Sequence, residues 1–285
     1  MKNDWYDHRK RSGPVIYDML KNCLDARVRL PSSTHWDKTV PSKKGRPALT
    51  TVIGSGLLAK SFAETAFTHD CLILASGVSN SNEQQASEFR RELNVVETAI
   101  REHPSSRVIY FSTCSILQTT QTPYIRHKME MESTVAAAAS SFQIYRLPQV
   151  VGATRNLTLV SYLVESLLLR RRVIVQQHAK RNLIDVGDVS RLIHHLVAHD
   201  IAPNSTQSLA SAYSVPVADV LTAIGKLLNI EPIYDVVDAG ESYDISTDFV
   251  NRHFGSDDPL MKMDYWRAVL EKHVPAIAAK IRSTI

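Results

Sequence analysis

The sequence is short of cysteine, of long apolar runs and of excess charge of either sign, and each shortage closes off a class of protein. Cys23, Cys71 and Cys114 are the three cysteines; they show no Cys-x-x-Cys spacing and cannot all pair, so neither a zinc site nor a disulfide framework is indicated. That favours a reducing compartment, and a cytoplasmic location is expected. No stretch reaches the ~18 uninterrupted apolar residues of a membrane span, and residues 1–11 are polar with no apolar run behind them, so no membrane partner is expected. Ten glycines and 12 prolines in no repeating order exclude collagen and low complexity. Thirty-three Lys plus Arg against 29 Asp plus Glu leave a net charge of +4 spread along the chain. Phosphate-backbone binding needs denser basic clusters, so no nucleic-acid partner is expected.

What is present is an ordinary folded composition, 44% hydrophobic over 285 residues, enough for one large or two small domains. Residues 1–47 stand apart as an extension and linker. They hold one helix, entered at Ser12-Gly13-Pro14 and running to about Ala26, then a Pro/Ser/Lys-rich passage ending at Lys43-Lys44-Gly45-Arg46-Pro47. From Ala48 short apolar runs at 49–53, 71–75, 108–111 and 143–147 alternate with helical stretches at 57–67, 88–102 and 126–139. Apolar runs separated by helices are what a parallel sheet covered on both faces requires, so the fold class is α/β, a Rossmann-like doubly wound parallel sheet. Residues 48–152 form the expected Rossmann core. Residues 153–285 supply remaining core elements and a smaller C-terminal lobe, with helices at 159–169, 217–228 and 265–281, a short strand at 173–175, and a strand at 183–186 leading into a helix to 199.

Thr51-Val52-Ile53-Gly54-Ser55-Gly56-Leu57-Leu58-Ala59 joins a strand to a helix, the setting in which a G-x-G-x-x-G/A pattern carries meaning. Gly54 permits a tight turn, Gly56 lets a pyrophosphate approach main-chain N–H groups at a helix start, and Ala59 allows close helix-to-strand packing. A merely structural turn would use the same residues. The carboxylate that holds the ribose hydroxyls about 20 residues further on in dinucleotide folds is missing. One helix and Thr68-His69-Asp70 are all that precede the next strand, so the second and third strands of such a sheet are deleted or replaced. The extension is the candidate cover for the bared edge.

Tyr124 and Lys128 lie four apart on one face of a helix opened by Pro123. An ammonium beside a phenol favours the phenolate, which makes a tyrosine usable as an acid/base. Upstream, the strand at 108–111 ends in Ser112-Thr113-Cys114-Ser115, hydroxyls at the carboxyl end of a strand, where open parallel sheets bind ligands.

With these pieces in order, the sequence resembles the extended or atypical short-chain dehydrogenase/reductases of the NAD-dependent epimerase/dehydratase superfamily, over roughly residues 48–240. The resemblance rests on the glycine turn, Leu74-Ala75-Ser76-Gly77, Asn94-Val95, Phe111-Ser112-Thr113-Cys114-Ser115, the Tyr124/Lys128 pair, the run Arg146 to Gly152, and the run Asn182 to Val189. It implies NAD or NADP as cofactor, held by Gly54, Ser55, Gly56, Leu57 and Leu58, along Ala75, Ser76 and Gly77, and against Lys128 and Pro148. It implies Tyr124 as acid/base, Lys128 on the nicotinamide ribose, and Thr113, with Ser112 as second choice, bonding the reacting oxygen. Gln149 and Arg181 would meet the diphosphate of a nucleotide sugar, the guanidinium fork suiting phosphate oxygens. The 4,6-dehydratases of that superfamily carry Asp-Glu where this chain has Cys114 and Ser115, so epimerase or ketoreductase chemistry is expected, in making a surface polysaccharide. Relatives often pair through helices corresponding to about 88–102 and 124–139, which makes a homodimer a candidate state, with a monomer, whose helix ends are also commonly alanine-rich, left open beside it.

A reading of another class stays open, a non-catalytic dinucleotide sensor or regulator on a degenerate scaffold, motivated by the absent ribose carboxylate. Other features read as structural. His127 is taken as a helix-surface residue, His194, His195 and His199 as a partly exposed helix rather than a metal site, Arg170-Arg171-Arg172 as a solvated helix end, and Cys114 as inert.

Overall fold

The computed structural model describes residues 48–78, 80–154 and 158–283. The expected extension over residues 1–47, its helix and Cys23 lie outside the described residues.

Strand β1 (Thr50–Ile53) turns through Gly54 into helix α1 (Leu57–Ser61) and the chain returns as β2 (Cys71–Leu74). Helix α2 (Ala86–Glu102) leads to β3 (Arg107–Thr113), whose end winds into a 3-10 turn at Cys114–Leu117. Helix α3 (Pro123–Ala138) leads to β4 (Phe142–Leu147) and, past Pro148, to β5 (Gln149–Val151). Then come α4 (Leu159–Leu168), β6 (Val173–Gln176), β7 (Lys180–Asp185), α5 (Val186–Ala198) and β8 (Ser205–Ser208). The chain closes with β9 (Ser214–Pro216), α6 (Val217–Leu228), β10 (Tyr234–Val237), α7 (Asp248–Phe254) and α8 (Tyr265–Arg282).

The central sheet has five strands in the order β1-β2-β3-β4-β8, and every neighbouring pair is parallel. Successive strand residues point to opposite faces, and both faces are covered, which is why β2 reads as an unbroken apolar run. Leu72, Leu74, Val108, Tyr110 and Ile144 pack under α2 and α3, while Cys71, Ile73, Ile109, Phe111 and Tyr145 join the larger core on the other side. Rossmann-like α/β architecture follows as expected. No strand intervenes between α1 and β2, and among the described residues β1 pairs only with β2, in line with the expected deletion.

Three features differ from the sequence expectation. Helix α1 stops at Ser61 instead of continuing to residue 67, and the chain beyond it unwinds through i to i+3 turns at Phe62 and Thr65. Phe62 and Phe67 are both buried and their rings face each other at 6.3 Å, yet five residues of helix would turn them well over 90° apart. Burial of both rings wins over helix continuation. The fifth strand, Ser205–Ser208, carries no apolar residue and gave no strand signal; pairing with β4 and the shelter of one flank define it. The third feature is the stretch between the helices expected at 217–228 and 265–281, where the sequence predicts no element and the chain forms β10, paired with β6, and helix α7.

Helix α5 is fastened to α8 by a buried carboxylate. Asp185 Oδ1 caps α5 by accepting from the N–H of Gly187 at 2.6 Å and of Asp188 at 3.3 Å. Its Oδ2 meets His273 Nε2 at 2.7 Å and Lys272 Nζ at 2.8 Å. Burial raises its pKa, but the bonds from His273, Lys272 and Gly187 outweigh that and hold the carboxyl well below the usual carboxylate range. A folded-state pKa below the unfolded one contributes stability that is present above the unfolded value, near pH ~4, and is lost as pH falls through the folded value. Asp185→Asn is therefore expected to lower the melting temperature at neutral pH and to flatten its fall below about pH 4. Parallel melting curves for both proteins across that range would contradict the assignment.

Candidate active site

The carboxyl ends of β1, β2 and β3 come side by side, and Gly54 to Leu58, Ala75 to Gly77 and Thr113 lie at or just beyond them, whereas Gln149 and Arg181 belong to the separate sheet of β5, β7 and β9. Gly54 has φ +135°, and a Cβ on it would lie 2.4 Å from the carbonyl oxygen of Ala75. Only glycine lets the turn after β1 cross so close to the main chain that leaves β2. At Gly56 a Cβ would meet nothing within 4 Å, and α1 begins there without a side-chain cap. The first N–H groups of α1 are thus left without a side-chain cap, beside Ser55, which is exposed, and Leu57 and Leu58, which are half-buried. Leu57 lies close over Gly152, where a Cβ would meet its Cδ1 at 2.6 Å. Ala75, Ser76 and Gly77 form the next crossing, with Ala75 N–H donating to Ile53 at 2.8 Å. These residues fit a diphosphate cradle of bare main chain. Asp70 does not supply the missing ribose carboxylate. It accepts from Leu49 N–H at 2.7 Å, at the amino ends of β1 and β2, the far end from the cradle.

Thr113 ends β3, and its hydroxyl oxygen accepts from Ser115 N–H at 3.1 Å. Helix α3 starts from Thr122, whose side chain caps Ile125 N–H at 3.2 Å, with Pro123 in the first turn. This start sets Tyr124 at the tip of β3, with its phenol beside the Thr113 side chain. Burial raises the phenol's pKa; Lys128, one turn on, lowers it, Glu92 raises it, and the Thr113 side chain lowers it. Ser112 points to the opposite face from Thr113, and its hydroxyl is buried with no hydrogen-bond partner. Of the two hydroxyls, Thr113 is the one beside Tyr124.

Lys128 is buried, and its ammonium donates to Glu92 Oε1 at 2.8 Å and to the Tyr110 phenol at 3.0 Å. Sequence reasoning missed both partners. Glu92 sits on the apolar stripe of α2 with Val96 and Ala99, and that misplaced acid was the available signal. His127 is corrected as well: it is buried instead of lying on the helix surface, its ring 4.6 Å from that of Phe89 and its Nε2 3.0 Å from Glu92 Oε2.

Cys114 turns away from the site, its thiol donating to the Arg146 carbonyl at 3.3 Å, and burial pushes its pKa up to about 12. Ser115 lies beside the phenol of Tyr243, from the segment between β10 and α7. The same segment accepts from Thr119 N–H through the Glu241 carboxylate and from Arg181 through the Glu241 carbonyl at 3.2 Å. Arg181 is thus brought near Tyr243, although main-chain carbonyls occupy its guanidinium. Gln149, just after Pro148, is half-buried on β5 opposite Leu183 of β7. Among the described residues no helix is long and apolar enough to cross a membrane, and no group of three or more His, Cys, Asp or Glu side chains could hold a metal ion. Arg170, Arg171 and Arg172 are exposed, and the rings of His195 and His199 lie 4.2 Å apart, tilted by 35°, at the end of α5.

A family model described as "NAD dependent epimerase/dehydratase family" matches residues 34–208, more than half of the chain. The chain belongs to this family. No curated protein sequence matches it significantly. Solved structures similar to this epimerase/dehydratase chain include RMD from Pseudomonas aeruginosa complexed with NADPH, with TM-score 0.67 and 13% identity over 84% of this chain and 100% of that one. The Bordetella bronchiseptica enzyme WbmH in complex with NAD+ is similar with TM-score 0.59 and 16% identity over 73% of this chain and 75% of that one. UDP-glucose 4-epimerase from Thermotoga maritima, solved with UDP-glucose, is similar with TM-score 0.59 and 13% identity over 79% and 82% of the two chains. At these identities the likeness is one of fold.

Proposed function

We propose that this chain is an NAD(P)-dependent epimerase or ketoreductase acting on a nucleotide-activated sugar. The observation that carries the reading is the placement of the Tyr124 phenol beside the Thr113 side chain at the tip of β3, with the Lys128 charge one helical turn away. The relatives solved with NADPH, NAD+ and UDP-glucose support the same cofactor and substrate classes. Gly54, Ser55 and Gly56 would hold the diphosphate of the cofactor on main-chain N–H groups, Ala75 to Gly77 and Pro148 would flank it, and Lys128 would meet the nicotinamide ribose. Bound, the cofactor supplies hydride exchange at a sugar carbon. Tyr124 takes or returns the proton of the reacting sugar oxygen. Because Ser115 N–H occupies a lone pair of Thr113, the threonine O–H is left to turn toward Tyr124 or that oxygen. Gln149 and Arg181 would face the sugar-nucleotide diphosphate, Arg181 by exchanging the Glu241 carbonyl for phosphate oxygens.

Elimination chemistry is disfavoured by the side chains that follow Thr113. Where a dehydratase needs two carboxyl groups, this chain has a thiol turned into the core and the Ser115 hydroxyl beside Tyr243. Assembly of a surface polysaccharide is the setting that the family resemblance implies for the product. The sensor reading draws its support from Asp70, which leaves the cradle without a ribose carboxylate.

The two readings separate on ligand and turnover. NAD or NADP is expected to raise stability by about 2.7 kcal/mol at a concentration ~100-fold above its Kd, read as a rise in melting temperature. Incubation with nucleoside-diphosphate hexoses, followed by NMR of the sugar carbons, is expected to give an inverted centre with no net cofactor change, or a reduced keto-sugar with NAD(P)H consumed. A melting shift with no conversion of any such sugar would favour the sensor; no shift with either cofactor would remove the dinucleotide from the account.

A further inference from the structure

Glu92 is fully buried, and all of its partners are visible. Oε1 accepts from the Tyr110 hydroxyl at 2.7 Å and from Lys128 Nζ at 2.8 Å. Oε2 accepts from Val78 N–H at 2.8 Å and meets His127 Nε2 at 3.0 Å. A buried carboxylate stays ionised only when paired and hydrogen-bonded to this degree. Burial pushes the Glu92 pKa up, but His127, Lys128 and Val78 together hold it well below the usual carboxylate range. The pair lies directly against the cofactor cradle, because a Cβ on Gly77 would be 2.7 Å from Glu92 Oε1 and 2.8 Å from Lys128 Nζ. Gly77 is therefore needed to admit the ion pair. An ammonium has three N–H donors; two are spent on Glu92 and Tyr110, and one is left.

We propose that Glu92 is a positioning residue, which pins the Lys128 ammonium beneath Gly77 with one N–H free for the nicotinamide ribose and cancels much of the charge that Lys128 would otherwise present to the Tyr124 phenol. The proposal rests on Tyr124 being the acid/base. The titratable groups around that phenol are Lys128 and, through Glu92, His127 from its own helix, Glu92 from α2, Tyr110 from β3, and Tyr243 from the segment before α7, itself beside Cys114 and Arg181. Of these, Lys128 and Glu92 are the pair of opposite charge that act on Tyr124 in opposite directions. Removing only the negative member leaves the ammonium uncompensated and favours the phenolate.

Glu92→Gln in the full chain tests this through the pH dependence of kcat/KM with a converted sugar. The limb governed by Tyr124 is expected to move to lower pH by about one unit, a roughly tenfold rate change at a fixed pH on that limb. KM for the cofactor is expected to rise as Lys128 loses its anchor. Should that variant fail to fold, Glu92→Asp keeps the charge but draws it back by one methylene, and the limb is expected to move the same way by less. A folded variant whose kcat/KM falls equally at every pH, with the limb unmoved, overturns the proposal and leaves Glu92 a packing residue. Tyr124→Phe, assayed alongside, distinguishes the two failures. An inactive Tyr124→Phe with an unmoved limb in the Glu92 variant removes this proposal alone, and an active Tyr124→Phe removes the acid/base reading and this proposal with it.

Discussion

Tyr124→Phe lowers turnover by about 10²–10⁴-fold, the usual worth of a positioned acid/base, with cofactor affinity unchanged. The phenol oxygen is the one atom removed, and among the described residues no main-chain group bonds to it. Its neighbour Thr113 still accepts from Ser115 N–H at 3.1 Å, so the tip of β3 keeps its shape. Even loss of one neutral hydrogen bond would cost only about 1 kcal/mol, small beside the catalytic loss. Lys128 keeps both of its bonds, to Glu92 and Tyr110, so the contact offered to the nicotinamide ribose survives. A variant that turns over at the native rate would remove Tyr124 from the chemistry.

Gly54→Ala and Gly56→Ala are expected to fail in different ways, although both lie in one turn. At Gly54 the backbone sits at φ +135°, and the added methyl would lie 2.4 Å from a main-chain oxygen that cannot move without shifting β2. Backbone strain of that kind costs about 1–3 kcal/mol before the clash is counted, so the variant is expected to melt lower and to bind cofactor weakly. At Gly56 the methyl meets nothing, so the unliganded protein keeps its stability. The same methyl projects into the open space assigned to the diphosphate, and NAD(P) affinity is expected to fall tenfold or more, a loss of about 1.4 kcal/mol. Equal melting temperatures for Gly54→Ala and the native chain, or native cofactor affinity in Gly56→Ala, would contradict the cradle.

The sequence exposes those parts of the molecule whose burial follows a simple period. Helix α6 coincides with residues 217–228, and α8 ends one residue beyond the expected 265–281, because Pro216 and an apolar face mark the first and a long amphipathic period the second. The strand-tip hydroxyl and the Tyr124/Lys128 spacing are equally local, and the fold brings them together. Strand β8 is invisible because Ser-Thr-Gln-Ser has no apolar alternation and is fixed by its neighbour β4. The end of α1 depends on where two phenylalanines must point. Glu92, Tyr110 and His127 escape for a related reason. Glu92 and Tyr110 carry no functional signal singly and His127 reads as a surface imidazole, and their meaning appears only when α2, β3 and α3 bring them onto one lysine.

The most direct measurement is a crystal structure of the full chain grown with NAD or NADP. The account predicts density for the diphosphate on the N–H groups of the Gly54 to Leu57 turn, a nicotinamide ribose within hydrogen-bond reach of Lys128, and the ring facing Tyr124 and Thr113. A dinucleotide bound elsewhere, or one whose nicotinamide points away from Tyr124, would contradict it.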